Sequence, residues 1–141
     1  MIRVVLAVAL ASALFGIAVP SAESVDRERT TALALEELER VNDTAERLAA
    51  ENDPVAPGLD PAATTVTLDP PEPTFAASGR LRFADDELRW EPQTGRNRTV
   101  DAAVPIRVEN PQAVSERTRV RLSFVRVEGA AVVRLRVGPD I

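Results

Sequence analysis

Asp85-Asp86-Glu87 is the densest group of carboxylates in the chain, and adjacent acids of this kind can hold a hard cation such as calcium through oxygen. The run lacks the alternating Asp-x-Asp-x-Asp-Gly spacing with which a calcium loop wraps its ion, so a solvated hairpin tip accounts for it equally well. The remaining inventory narrows the chemistry further. All 17 basic residues are Arg, and the sequence has no Lys, His, Cys or Tyr. Thiolate nucleophiles, Ser-His pairs and nitrogen- or sulfur-ligated zinc are thereby excluded. No two acids are spaced as an acid/base couple. The expectation is a non-enzyme with no catalytic residues, no metal ligands and no cofactor.

Arg supplies the second chemical signature. Arg117, Arg119, Arg121, Arg134 and Arg136 alternate with apolar residues near the end of the chain, which puts them together on one face of a sheet. Such a face can meet phosphate or an acidic protein, and we take Arg119, Arg121, Arg134 and Arg136 as candidate partner contacts. A chain without Lys must also use Arg at every ordinary basic surface position. With only 4 Phe and 1 Trp there is little to stack bases on, so no nucleic acid is expected as a partner. Asn42-Asp43-Thr44 and Asn97-Arg98-Thr99 are glycosylation sequons, making Asn42 and Asn97 candidate acceptors in an exported chain.

These residues are positioned by four stretches of different character. Residues 1–22 read as a transmembrane anchor or signal segment: Val4 to Val19 carries no charge, and Pro20 interrupts the run. Arg3 precedes it and Glu23 and Asp26 follow, which favours a single-pass membrane protein with its N-terminus inside and the rest outside. Secretion after cleavage near Ser21 or Ala22 is the alternative. Residues 23–52 read as a polar amphipathic helix, rich in Ala, Leu, Glu and Arg, with a narrow apolar stripe of Ala34, Leu38, Val41, Ala45 and Leu48. The stripe needs a cover. Either the chain's own β domain or another protein can supply it, so its residues are also candidate partner contacts. Asn52-Asp53-Pro54 is a stop.

Residues 53–73 hold six of the 11 prolines and read as a linker with one candidate strand, Thr64 to Leu68. Residues 74–141 alternate apolar and polar side chains and read as an antiparallel β domain of five or six strands, a sandwich or curled sheet, with Trp90, Phe83 and Phe124 in its core. Thr99 to Val108 is expected as one strand with Pro105 at an edge or bulge. A phase change at Val125 and Val127 points to a bulge or a strand end before Glu128-Gly129-Ala130. Charge is uneven as well: Glu23 to Glu72 has 13 acids against 4 Arg, whereas Arg80 to Ile141 has 12 Arg against 9 acids.

The fold class expected is α+β, with an N-terminal transmembrane or extended helix followed by a small antiparallel β domain. A short basic start, a hydrophobic helix continuing into a polar one, and a C-terminal antiparallel β domain resemble the type IV pilin and pseudopilin plan, without the prepilin motif. The opening Met-Ile-Arg-Val-Val-Leu-Ala-Val-Ala-Leu, the Val-Pro near residue 20 and the Arg-rich closing strands look like an uncharacterised haloarchaeal membrane-anchored family associated with pilus or secretion systems. That resemblance implies a non-enzymatic accessory or structural component of an archaeal cell-surface, pilus or secretion assembly. Its partners would be the membrane, through the N-terminal helix, and proteins, either pilus or secretion components or further copies of itself. An exported ligand-binding or envelope-stabilising β domain unrelated to such machinery is the other reading.

Overall fold

A run of apolar residues long enough to cross a membrane fills the first part of the chain, where a helix satisfies its own backbone, and Ala, Leu, Glu and Arg, which favour helix, fill the next. The computed structural model describes residues 2–138, leaving aside the side chains of Arg3, Ile17, Ala18 and Pro20. It contains one uninterrupted helix, α1 (Ile2–Glu51), 50 residues and about 75 Å long. Pro20 was expected to interrupt the apolar run, yet the helix passes through it. A proline removes the one hydrogen bond that its N–H would have given to the Gly16 carbonyl, and the helix continues on both sides of that single loss. Beyond Glu51, the Asn52 side-chain amide donates to the Leu48 carbonyl at 2.9 Å and Pro54 prevents continuation.

The two halves of α1 have different surroundings. Its N-terminal part is long and apolar enough to cross a membrane, and none of that apolar window is buried within the protein. From Thr30 onward one stripe is buried: Thr30, Ala34, Leu38, Val41, Ala45 and Leu48. Buried Thr30 satisfies its hydroxyl by donating to the Asp26 carbonyl at 2.9 Å.

Eight strands follow: β1 (Ala63–Leu68), β2 (Gly79–Ala84), β3 (Glu87–Pro92), β4 (Arg98–Asp101), β5 (Ile106–Val108), β6 (Gln112–Val114), β7 (Thr118–Val127) and β8 (Ala130–Val137). They form two four-stranded sheets, β1-β7-β8-β5 and β4-β3-β2-β6. The chain is thus α+β, a long N-terminal helix followed by two small, mostly antiparallel sheets, and β5·β8 is the one parallel pair among the described residues. The period-two alternation buries Leu81, Phe83, Leu88 and Trp90 from one sheet with Val120, Leu122, Phe124, Val133 and Leu135 from the other. The helix stripe joins this core. It touches β1 and β7 of one sheet and β3 and β4 of the other, closing the side where the edge strands β1 and β4 stand.

Several sequence expectations need correction. Among the described residues, the segment from 74 onward holds seven strands rather than five or six, and the linker supplies its one candidate strand as β1. The segment from Thr99 to Val108 is two strands in different sheets, because the chain crosses between the sheets at 102–105 and Pro105 has no N–H to extend a ladder there. Of the two readings of the phase change, the strand end holds and the bulge does not: β7 ends at Val127, and β7 and β8 stay in register from Val120↔Val137 to Val127↔Ala130. Glu128 and Gly129 make the two-residue turn, both with positive φ (50° and 85°), the geometry that suits a tight hairpin. The phase change arises because both sides of this end are covered, with Phe124, Val125, Val132 and Val133 all buried and Val55 bridged to Val125. Residues 53–73 are tied to the rest of the fold at several points: Arg126 N–H donates to the Val55 carbonyl at 2.8 Å, β1 pairs along β7, and Asp69 N–H donates to the Glu37 carboxylate at 2.9 Å.

Trp90 is 1% exposed, and its indole N–H has no hydrogen-bond partner among the described residues. Its ring lies on Gly79, where an added Cβ would stand 2.5 Å from the ring carbons Cη2 and Cζ2. Gly79→Ala should therefore lower stability by about 1–3 kcal/mol and red-shift the single Trp emission. Leu38→Ala should cost about 2–5 kcal/mol in denaturant unfolding of the detergent-solubilised chain, and Leu33→Ala on the open side of the same helix less than about 0.5 kcal/mol. Equal losses at Leu38 and Leu33 would contradict the packing of the stripe.

Candidate functional site

Asp85 and Asp86 form the two-residue connection between β2 and β3, with Asp86 at φ 59°, a region that Asp tolerates better than most residues. Asp85 Oδ1 accepts from Val108 N–H and Asp86 Oδ1 from Ile106 N–H, each at 2.8 Å. Asp86 N–H donates in return to the Ile106 carbonyl at 3.0 Å. Arg107 Nη1 stands 3.3 Å from Oδ2 of both aspartates. The backbone of 105 and 109 bonds to β8, so the N–H groups of Ile106 and Val108 face the open edge of β5. The two carboxylates cap that edge and tie the β2–β3 hairpin of one sheet to an edge strand of the other. Glu87 turns elsewhere, accepting from Arg89 Nε at 3.0 Å. Among the described residues no three His, Cys, Asp or Glu are grouped to hold a metal.

The two outer sheet faces differ electrostatically. On β2 and β3, Glu91 receives Arg80 at 2.9 Å, Arg82 at 3.8 Å and Arg89 at 3.9 Å, and Arg89 also pairs with Glu87. The hydrogen bond and the negative charge of Glu87, with Glu91 adding, raise the Arg89 guanidinium pKa above its ordinary value against a small opposing effect of burial. This face is an interleaved network of both signs. On the other sheet, Arg121 lies directly opposite Arg136, and Arg107 opposite Arg134. Glu109 receives Arg134 at 3.4 Å and Arg136 at 3.7 Å. The Arg119 and Arg121 guanidinium groups make no ion pair among the described residues, and both are exposed beside Thr67 and Thr65 of β1. Arg119, Arg121, Arg134 and Arg136 are therefore brought together on one face, as their alternation indicates.

The helix stripe is a correction. Ala34, Leu38, Val41 and Ala45 are 0% exposed and Leu48 8%, all inside the chain's own core, so they are unavailable as partner contacts. Of the sequons, Asn97 is exposed just ahead of β4, whereas Asn42 is half-buried on the helix. Asn42 Oδ1 accepts from Ala103 N–H at 2.9 Å, tying the helix to the crossover between sheets, and this occupied position tells against Asn42 as an acceptor. Sequence reasoning missed two features. One is Glu109 as the partner of two ladder arginines, which no local spacing signals. The other is an open groove of about 580 Å³ lined by Ser78, Arg80, Glu91, Gln93, Asn97 and Ser115, assembled from strands distant in sequence.

Compared with known proteins, residues 1–138 match the model of a domain of unknown function, DUF7311, which runs through the apolar segment, the polar helix and both sheets. No curated protein and no solved structure matches the chain.

If the Asp85–Asp86 pair is a clamp, Asp85→Ala and Asp86→Ala should each lower stability by about 1–3 kcal/mol by leaving a β5 N–H unpaired. Asn at either position, which keeps an acceptor oxygen, should retain most of it. Calcium should leave the melting temperature unmoved; a calcium-dependent rise abolished by the Asn variants would establish a cation site instead.

Proposed function

The chain belongs to the DUF7311 family, a domain of unknown function, and we propose that it is a non-enzymatic, single-pass membrane-anchored component of a cell-surface, pilus or secretion assembly, acting through protein contacts. The observation that carries this reading is the continuity of α1. One helix is bare and apolar over its first part and built into the sandwich core over its second. A cleaved leader has no need to share a helix with the domain it exports, whereas an anchor that must hold a domain at fixed height and orientation does.

Orientation follows from the flanking charges. Arg3 stands before the apolar run, Glu23 and Asp26 after it, so the N-terminus is inside and the sandwich outside. The contact surface is the Arg face of β7 and β8, where Arg119 and Arg121 are exposed and make no ion pair among the described residues. An acidic protein surface is the complementary partner. The pilin-like order of basic start, apolar helix, polar helix and β domain supports placement in an assembly of that kind.

Intact mass and carbonate extraction test the anchor. The full-length chain should stay in carbonate-washed membranes, and a mature chain beginning near Ala22 in the soluble fraction would overturn it. Pull-down from detergent-solubilised membranes tests the assembly. Pilus or secretion components should co-purify, and Arg119→Glu with Arg121→Glu should deplete them at least about tenfold, the scale of a contact worth 1.4 kcal/mol. A pull-down free of such components would sink the assembly role while leaving the anchor standing.

A further inference from the structure

The helix is a ruler between membrane and sandwich. Ile2 to Ser21 is 20 residues, about 30 Å of helix, which matches a hydrocarbon core. The headgroup layer on each side is roughly 5–7 Å deep, or four to five helical residues. The domain's first bonds to α1 fall at the outer boundary of that layer, five and six residues past Ser21: Asp26 accepts from the Thr74 hydroxyl, and Arg27 Nε donates to the Ala76 carbonyl at 3.3 Å. On the anchor reading, on which this inference rests, no aqueous gap separates the near end of the sandwich from the lipid headgroups.

What stands at that end is a stapled turn. Thr74 N–H donates to the Ala77 carbonyl at 2.7 Å and Ala77 N–H to Thr74 Oγ1 at 3.0 Å, while Thr74 and Ala76 are bound to the helix. The residue it displays, Phe75, is 77% exposed, the most exposed large apolar side chain outside the apolar segment among the described residues. Single exposed apolar residues are common on soluble surfaces; here a rigid turn holds one at bilayer height. Ser78, next along, is joined to Gln93 by a backbone bond of 2.8 Å and a side-chain bond of 2.6 Å, which brings the β3–β4 loop to the same end. That loop carries exposed Arg96, with Arg98 just beyond it, beside an open cleft of about 440 Å³ floored by Ala32, Leu35 and Pro92. Two of the acids nearby are taken up: Glu23 pairs with Arg27 at 2.9 Å and Asp26 bonds Thr74, leaving Glu28 in the cleft.

We propose that this end of the sandwich is a second lipid contact, in which Phe75 enters the interfacial layer while Arg96 and Arg98 engage the phosphates of anionic phospholipids around α1. Aromatic burial at the interface and Arg pairing with phosphate are each favourable there; the Phe75 turn is bonded to the helix at Asp26 and Arg27, and the loop carrying Arg96 is joined to the end of that turn through Ser78 and Gln93. The contact would hold α1 and the sandwich against tilting as one body, so that the Arg face of β7 and β8 keeps one inclination to the membrane plane.

The absence of Cys makes the test direct. Phe75→Cys and, as a distal control at the far end of the helix, Glu51→Cys are labelled with an environment-sensitive fluorophore in the full-length chain. Each is reconstituted into phosphatidylcholine vesicles with or without phosphatidylglycerol. With the anionic lipid, the label at 75 should shift to the blue, be quenched by spin-labelled lipid and resist aqueous iodide, whereas the label at 51 should do the reverse. Arg96→Gln and Arg98→Gln should each reduce the lipid-docked population roughly fivefold, the size of one basic residue's attraction to an anionic surface. Equal iodide quenching at 75 and 51 overturns the proposal, as does shielding from iodide without lipid quenching, which marks a protein neighbour. Flotation of the same vesicles reads the anchor separately: a chain that fails to float removes the anchor and this contact with it, and a floating chain with a water-exposed label removes this contact alone.

Discussion

The sandwich is completed by a helix. Two four-stranded sheets leave an open side between the edge strands β1 and β4, and α1 lays its apolar stripe into it, burying Ala34, Leu38, Val41, Ala45 and Leu48. Each of the larger side chains contributes about 1.5–3 kcal/mol when removed from water. The stripe as a whole is thus comparable with the net stability of a domain, about 5–15 kcal/mol. Neither part stands alone: the helix stripe is too narrow to persist uncovered, and without it the sheets would open their core to water. The lower half of α1 is consequently part of the β domain, and the upper half is a rigid extension of it.

That dependence extends to the edges. A chain with no Cys cannot staple its sheets together, and its short edge strands invite fraying or pairing with another copy. The helix covers the β1–β4 side. On β5, Asp85 and Asp86 accept the two N–H groups that face outward, so the same contact closes an edge and joins the sheets. Asn42 does related work at the crossover by accepting Ala103 N–H. Three polar side chains that look like candidates for metal binding or glycosylation are thereby occupied by the backbone of neighbouring segments.

Periodicity made the α+β class legible. The 4-3-4-3 spacing from Ala34 to Leu48 and the alternation in β2, β7 and β8 state directly which faces are apolar. What periodicity cannot state is the partner. A stripe covered by its own sheets and one covered by another protein have the same spacing, and only the tertiary arrangement separates them. The division of 99–108 between two sheets was hidden for a similar reason, since a strand followed by a crossover at Pro105 looks like one strand with a kink. The phase change at Val125 signified burial on both sides at the strand's end rather than a bulge, where Val55, 70 positions earlier in the chain, is bridged beside β7. Of the candidate contacts, the Arg face was legible, since alternation alone puts its members on one side. Glu109, which moderates it, lies on no common element with the arginines it binds.

The contrast between the two outer faces bears most directly on function. Like charges directly opposite each other in a sheet are unfavourable, and the β2–β3 face meets this by placing Glu87 and Glu91 among Arg80, Arg82 and Arg89. The β7–β8 face has the same difficulty at Arg121 and Arg136, yet it has only Glu109 near one end, and Arg119 and Arg121 are left without a counter-charge among the described residues. A sequence with 22 acids has ample means to neutralise this face as it does the other. Long guanidinium groups held side by side on a twisted sheet present parallel donors suited to carboxylates on another surface. The face is fixed to a helix that cannot swivel independently of the sandwich, so on the anchor reading proposed above it would have a definite height and direction, as a contact within an ordered assembly requires.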